Sequence, residues 1–272
     1  MKAISLLVLF SIIMAFAGLA WAANADILVP VVATVADGGS INLGKIGPGQ
    51  TIDIVVNGVV PLPKGSEGRW QILRVVDVPQ GWEGFDSKEL GVKMQAGVKA
   101  ADDAKDGEYR ITFRLDEDSK HQQGLGSVTF QVIVTVSKNV LAVSLPKQSI
   151  ETGVGQPARY SIVLKSTSVA SDVFEIYAED VPVWSYKKAV HVPAGTTVNT
   201  FYEIVANEEK EYNPTIIIRS QSSGVINSSQ KVTMVVKTDV IGDIKATRNG
   251  VLIFPMVLEP LYSLLGIIGS FM

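Results

Sequence analysis

The sequence predicts an all-β chain of two tandem antiparallel β-sandwiches, with a signal helix before them and a hydrophobic helical tail after them. Three observations predict it. From residue 27 to 238, short runs in which every second residue is apolar follow one another, so each run lays one face on a core and the other in water. Turn residues punctuate these runs, and no long amphipathic helix lies between them. Markers of the first set of strands return in the same order 102 to 106 residues later.

Composition supports this class and excludes others. The 272 residues are 47% hydrophobic and 19% charged, with 4 Trp, 7 Tyr and 9 Phe, which excludes a disordered or fibrous chain and allows sizeable cores. The absence of cysteine excludes disulfides, thiolate zinc sites, iron–sulfur clusters and a Cys nucleophile. The two histidines, His121 and His191, leave little room for metal or triad chemistry. A formal net charge of −3 argues against nucleic acid, because neutralising phosphates takes a basic face.

Residues 1–22 read as a signal peptide. Lys2 is followed by an apolar stretch from Ala3 to Leu19, and Ala20-Trp21-Ala22 supplies the small-x-small cleavage pattern. The mature chain is expected to begin at Ala23, outside the cytoplasm, in the periplasm or on the cell surface. Export without cysteine suits a bacterial or archaeal source.

The strands come next. Tyr109, Ile111, Phe113 and Leu115 alternate with Arg110, Thr112 and Arg114. The same alternation runs through Val128, Phe130, Val132, Val134 and Val136, and through Ile52, Ile54 and Val56. It returns at Tyr160-Ile162-Leu164, Phe174-Ile176-Ala178, Ile216-Ile218 and Val232-Met234-Val236. Asp37-Gly38-Gly39, Gly47-Pro48-Gly49, Asn57-Gly58, Asp106-Gly107 and Pro193-Ala194-Gly195 supply turns.

The halves echo each other. Gly49-Gln50 returns as Gly155-Gln156, Trp82 as Trp184 and Tyr109 as Tyr212. The closing strands 127–137 and 230–237 fall at a similar offset. Each glycine turn is expected to reverse the chain before a core strand. Each Trp is expected to cap one end of a sandwich. Each Tyr is expected at the start of a late strand, with its hydroxyl on backbone. Ser137-Lys138-Asn139 separates the halves without a Pro- or Gly-rich tether, which sets the modules at 23–137 and 138–238.

Gly49-Gln50-Thr51-Ile52, Pro79-Gln80-Gly81-Trp82 and Asp106-Gly107-Glu108-Tyr109-Arg110-Ile111-Thr112 resemble segments of the alpha-galactosidase-associated Ig-like domains, which recur in tandem in archaeal and bacterial surface proteins. The resemblance spans about 27–238. The second half departs from it, with Val183 in place of the glycine before Trp184 and Lys210 in place of Gly107. The resemblance implies two Ig-like sandwiches that serve as spacers, carbohydrate-proximal modules or scaffold segments, without catalysis of their own.

Residues 239–272 break the pattern. From Val251 to Met272 the only charge is Glu259, and a helix of that length would just cross a bilayer. Pro255, Glu259 and Pro260 oppose a plain span, so a short apolar segment 251–258, a kink at Glu259-Pro260 and an apolar helix 261–271 are expected. Such a segment needs cover from a membrane, from an oligomer or larger envelope complex, or from its own sandwich.

No catalytic constellation is present, and no catalytic, cofactor-binding or metal-binding residue is nominated. Asp102-Asp103, Asp116-Glu117-Asp118 and Glu208-Glu209 lack the spacing of a calcium loop and read as solvated loop charges. Asn227-Ser228-Ser229, the sole glycosylation acceptor triplet, is expected in a polar loop. The function expected is that of a non-catalytic cell-envelope structural or interaction protein. It presents two Ig-like modules outside the membrane and docks through 251–272 to the membrane, to envelope proteins or to itself. The alternative is a surface carbohydrate-binding module or an accessory subunit of an envelope complex.

Overall fold

A computed structural model describes residues 24–62, 66–87, 92–120 and 123–237. The signal peptide, His121 and the tail 239–272 lie outside the described residues. The described residues hold strands and turns and no helix. The chain divides into two compact units, one of Met1–Leu43, Asp53–Lys99 and Glu108–Val134, the other of Gly44–Ile52, Ala100–Gly107 and Thr135–Met272.

The first eleven strands are β1 (Asn24–Val29), β2 (Ala33–Ala36), β3 (Ser40–Ile46), β4 (Thr51–Asn57), β5 (Val59–Pro61), β6 (Glu67–Arg69), β7 (Ile72–Asp77), β8 (Glu83–Phe85), β9 (Lys93–Lys99), β10 (Gly107–Asp116) and β11 (Val128–Val136). They form sheets of order β2-β1-β4-β9-β8 and β3-β11-β10-β7, with β5-β6 as a separate ribbon. Taking β1, β4, β7, β8, β9, β10 and β11 as A to G gives A-B-E-D in one sheet and G-F-C in the other, the strand order of an Ig-like sandwich.

The alternation read from the sequence is why these runs form strands with one dry face. Val128, Phe130, Val132, Val134 and Val136 of β11 are all buried, while the residues between them are half-exposed. In the first unit Ile54, Val56, Met94, Val98, Ile111, Phe113 and Leu115 add to the core, where Phe113 stacks on Phe130 at 5.6 Å between ring centroids. Trp70 is buried among them and satisfies its indole by donating to the Gly126 carbonyl at 3.1 Å.

The remaining strands are β12 (Leu141–Ser144), β13 (Ser149–Thr152), β14 (Pro157–Ser166), β15 (Asp172–Glu179), β16 (Lys188–Val192), β17 (Thr197–Val205), β18 (Glu211–Tyr212), β19 (Thr215–Ser220), β20 (Asn227–Lys231) and β21 (Thr233–Val236). They form sheets β12-β14-β17, β16-β15-β19-β20 and β13-β21-β18. One core joins them: Tyr160, Ile162, Leu164, Tyr202 and Ile204 from the first, Phe174, Ile176, Ala178, Val192, Ile216 and Ile218 from the second, Met234 and Val236 from the third. This is again an Ig-like sandwich, with A-B-E facing C′-C-F-G. The closing strand expected over 230–237 is broken at Val232: β20 pairs with β19, whereas β21 pairs in parallel with β13.

Candidate functional site

The two glycine turns of the repeat have the same backbone. Gly49 and Gly155 sit at φ 74° and 73°, and the amides of Gln50 and Gln156 donate to the carbonyls of Gly47 and Gly153 at 3.2 and 3.1 Å. Their side chains then part. Gln156 is half-exposed, whereas Gln50 is buried at the centre of a polar node within the second unit. Gln50 Oε1 accepts from the Gly47 amide at 2.9 Å and from Ser168 Oγ at 2.6 Å, and its Nε2 donates to Asp172 Oδ2 at 2.8 Å. Asp172 also accepts from Ser220 Oγ at 2.8 Å and from the Val173 amide at 2.7 Å. Ser220 Oγ in turn accepts from the amides of Ser222 and Ser223. A side chain at Gly49 would run into the Ser222 carbonyl, so glycine is required there for space as well as for φ. The node is a brace.

The two tryptophans also part. Trp82 closes a turn, its amide donating to the Pro79 carbonyl at 3.0 Å with Gly81 at φ 81°, and is buried against Tyr109 at 5.2 Å. Trp184 does not cap a sandwich as expected; it is 58% exposed. The reason is local. Val183 cannot take the left-handed conformation that Gly81 supplies, so the turn that folds Trp82 inward does not form there. The positive φ in this stretch falls instead at Asp180, at 57°.

The segment carrying Trp184 is firmly held. Trp184 leans on Tyr186 at 5.6 Å, and Tyr186 stacks on the buried Tyr202 at 4.6 Å and 12°. Tyr202 Oη donates to the Tyr186 carbonyl at 2.6 Å, accepts from the Tyr186 amide at 3.2 Å and lies 3.2 Å from Ser185 Oγ. Ser185 Oγ accepts from the Ala178 amide at 3.2 Å. Lys188 Nζ donates to the Phe201 carbonyl at 2.9 Å, and the Glu203 amide donates to Tyr186 Oη at 3.3 Å. Arg159 and Lys188 sit over the Phe201 ring at 3.5 and 3.9 Å, and Lys187 pairs with Glu175 at 2.8 Å. Burial pushes the Tyr186 hydroxyl above its usual pKa, and the hydrogen bond to Glu175 raises that of Lys187. The result is an indole offered to solvent from a fixed base. None of Tyr186, Lys188 and Tyr202 stood out in the sequence; Tyr202, next to Phe201, carried no periodic signal of its own.

The other sequence candidates fall in ordinary places. His191 is exposed on β16, opposite Val173. Asp116 accepts from both Arg74 and Arg114 at 3.0 Å, and Glu117 accepts the amides of Gln123 and Leu125, so this acidic triplet braces its own loop. Tyr212 Oη reaches the Glu208 carbonyl at 3.4 Å, and the shorter bond of this kind is from Tyr160 Oη to the Thr233 carbonyl at 2.9 Å. Asn227 opens strand β20 instead of lying in a loop, and it is exposed. Among the described residues no three His, Asp or Glu side chains gather as a metal site requires.

Strand order and core thus define a chain of all-β, Ig-like sandwich units. No protein-family model matches it, and no curated protein does. Among solved structures it is similar to the fibronectin(III)-like modules of CbhA from Clostridium thermocellum, at 13% identity and TM-score 0.27, over 79% of this chain and 94% of that one. It is similar to a chimeric titin Z1Z2 carrying an exogenous peptide from decorin, at 9% identity and TM-score 0.37, over 80% and 99% of the two chains. It is also similar to titin Z1Z2 in complex with telethonin, at 9% identity and TM-score 0.24, over 80% and 99%. The fold assignment stands on the sheets themselves and not on these distant likenesses.

Proposed function

We propose that this chain is an exported, non-catalytic interaction protein of the cell envelope. Residues 1–22 direct export, the Ig-like modules 23–137 and 138–238 stand outside the membrane, and the apolar segment 251–272 docks the chain. The observation that supports an interaction role is Trp184, more than half exposed on a stack of two tyrosines. A large aromatic held rigid in water is the usual anchor of a partner, because little side-chain entropy remains to be lost on binding. Fractionation of the full-length mature chain tests the docking. The intact chain should sediment with membranes and a chain lacking 251–272 should be released. A full-length monomer soluble without detergent overturns the docking. Crosslinking to envelope proteins that disappears in Trp184→Ala tests the anchor; crosslinks indifferent to that change refute it.

The same exposed indole favours a second reading, a carbohydrate-binding module, since a sugar ring stacks on such a face. Trp70 and Trp82 are buried and unavailable for it. Binding on a glycan array that is lost in Trp184→Ala would establish this reading, and a blank array would remove it.

A further inference from the structure

We infer that the segment Trp184–Lys188 is a guard that closes the free edge of β17 against pairing with a second copy of this chain. β17 is nine residues long and ends its sheet, and among the described residues no strand pairs with its outer side. Such an edge offers a row of amides and carbonyls to any extended chain. The usual protections are missing from β17 itself: Thr197–Val205 holds no proline and no lysine, its pairing with β14 runs without a bulge, and Glu203 is its one charge.

Protection comes from the segment that leads into β16 and from its first residue, Lys188. In an antiparallel ladder, alternate residues turn their amide and carbonyl toward one neighbour and then the other. The Phe201 carbonyl and the Glu203 amide are taken by Lys188 Nζ and Tyr186 Oη, so the odd-numbered residues of β17 face its open side. The guard therefore occupies the middle of that row. It is itself fastened by Tyr202, which holds both backbone groups of Tyr186.

The strand's own sequence points to a second copy as the partner. Antiparallel self-pairing centred on Phe201 sets Asn199 against Glu203 and Thr197 against Val205 on the outer face, and Thr200 against Tyr202 and Val198 against Ile204 on the inner one. No like charges oppose each other, and the alternation of faces is kept, so β17 is complementary to itself once uncovered. This inference does not rest on the envelope role.

The chain lacks cysteine, so a single one reports the pairing. Phe201→Cys is introduced into the full-length chain, and oxidised dimer is measured with the guard intact and with Tyr186→Ala and Lys188→Ala added. Self-pairing brings the two Cα atoms of residue 201 to roughly 5.5 Å, within disulfide reach. Loss of the two guard bonds should raise dimer yield about tenfold or more. Asn199→Pro, which removes only an outward amide, should return it to the level of the guarded chain. No rise, or a rise that Asn199→Pro leaves untouched, overturns the inference. Should the double alanine variant fold poorly, Tyr186→Phe keeps the question open to test by amide exchange. Exchange at Glu203 should then quicken about fivefold, with Tyr202 and Ile204 unchanged. An unchanged Glu203 amide means that no guard closes the edge.

Discussion

Trp82 and Trp184 follow corresponding strands, β7 and β15, each the partner of a late strand in its sheet, yet one is buried and the other stands in water. After Trp82 the chain crosses to the opposite sheet as β8, at the end of β2-β1-β4-β9-β8. After Trp184 it stays beside β15 as β16. The tight turn through Gly81 goes with the first path, and Val183 denies it to the second. A single backbone allowance separates a core tryptophan from a presented one, so duplicated sequence markers keep their place in the chain without keeping their surroundings.

The comparison breaks most readily at the tryptophans themselves. Trp82→Ala should cost about 3–5 kcal/mol by denaturant unfolding, as for other buried aromatics, whereas Trp184→Ala should stay within about 1 kcal/mol. Equal losses would mean that the two corners are energetically alike. The glutamines come next. Gln50→Ala strips a buried carboxylate of a donor and should cost about 2–3 kcal/mol, while Gln156→Ala at the twin turn should be near neutral. A Gln156 variant as costly as the Gln50 one would mean that the two turns are braced alike. Gly81→Ala should cost about 1–2 kcal/mol through its positive φ, and Val183→Gly less than half of that; the reverse order would remove the turn as the cause.

The smallest effect is one of pH. Burial pushes the Tyr160 hydroxyl up from its ordinary 10.0 to about 12, so the folded state holds its proton more tightly than the unfolded chain. The stability this contributes is complete below pH 10 and is lost as pH rises from there through about 12. Tyr160→Phe should flatten that slope in alkaline unfolding, and an unaltered slope would assign it to other tyrosines.

Much of the framework was legible because alternation is a local signal. Val128–Val136 and Tyr160–Leu164 bury every second residue as their sequences predict. The glycine turns were legible for the same reason, since φ is a property of one residue. What was illegible depends on distant partners. Gln50 and Asp172 lie 122 positions apart, and neither carries a periodic signal. The break at Val232 was hidden because Val232, Met234 and Val236 read as one strand, although the parallel partner β13 takes only the last part. Trp184 reads as the cap of a sandwich on the strength of its twin, although Val183 already marks the exception.

That break has a mechanical consequence. β13 and β21 run in the same direction over four paired positions, Ser149 with Thr233 through Thr152 with Val236. A pull at the end of β21 against the beginning of β13 loads these pairs along the strand axis, so they resist together in shear instead of opening one after another like a zipper. Stretching single molecules between the ends of this unit should therefore show a distinct rupture peak, and smooth yielding at low tension would count against the clamp.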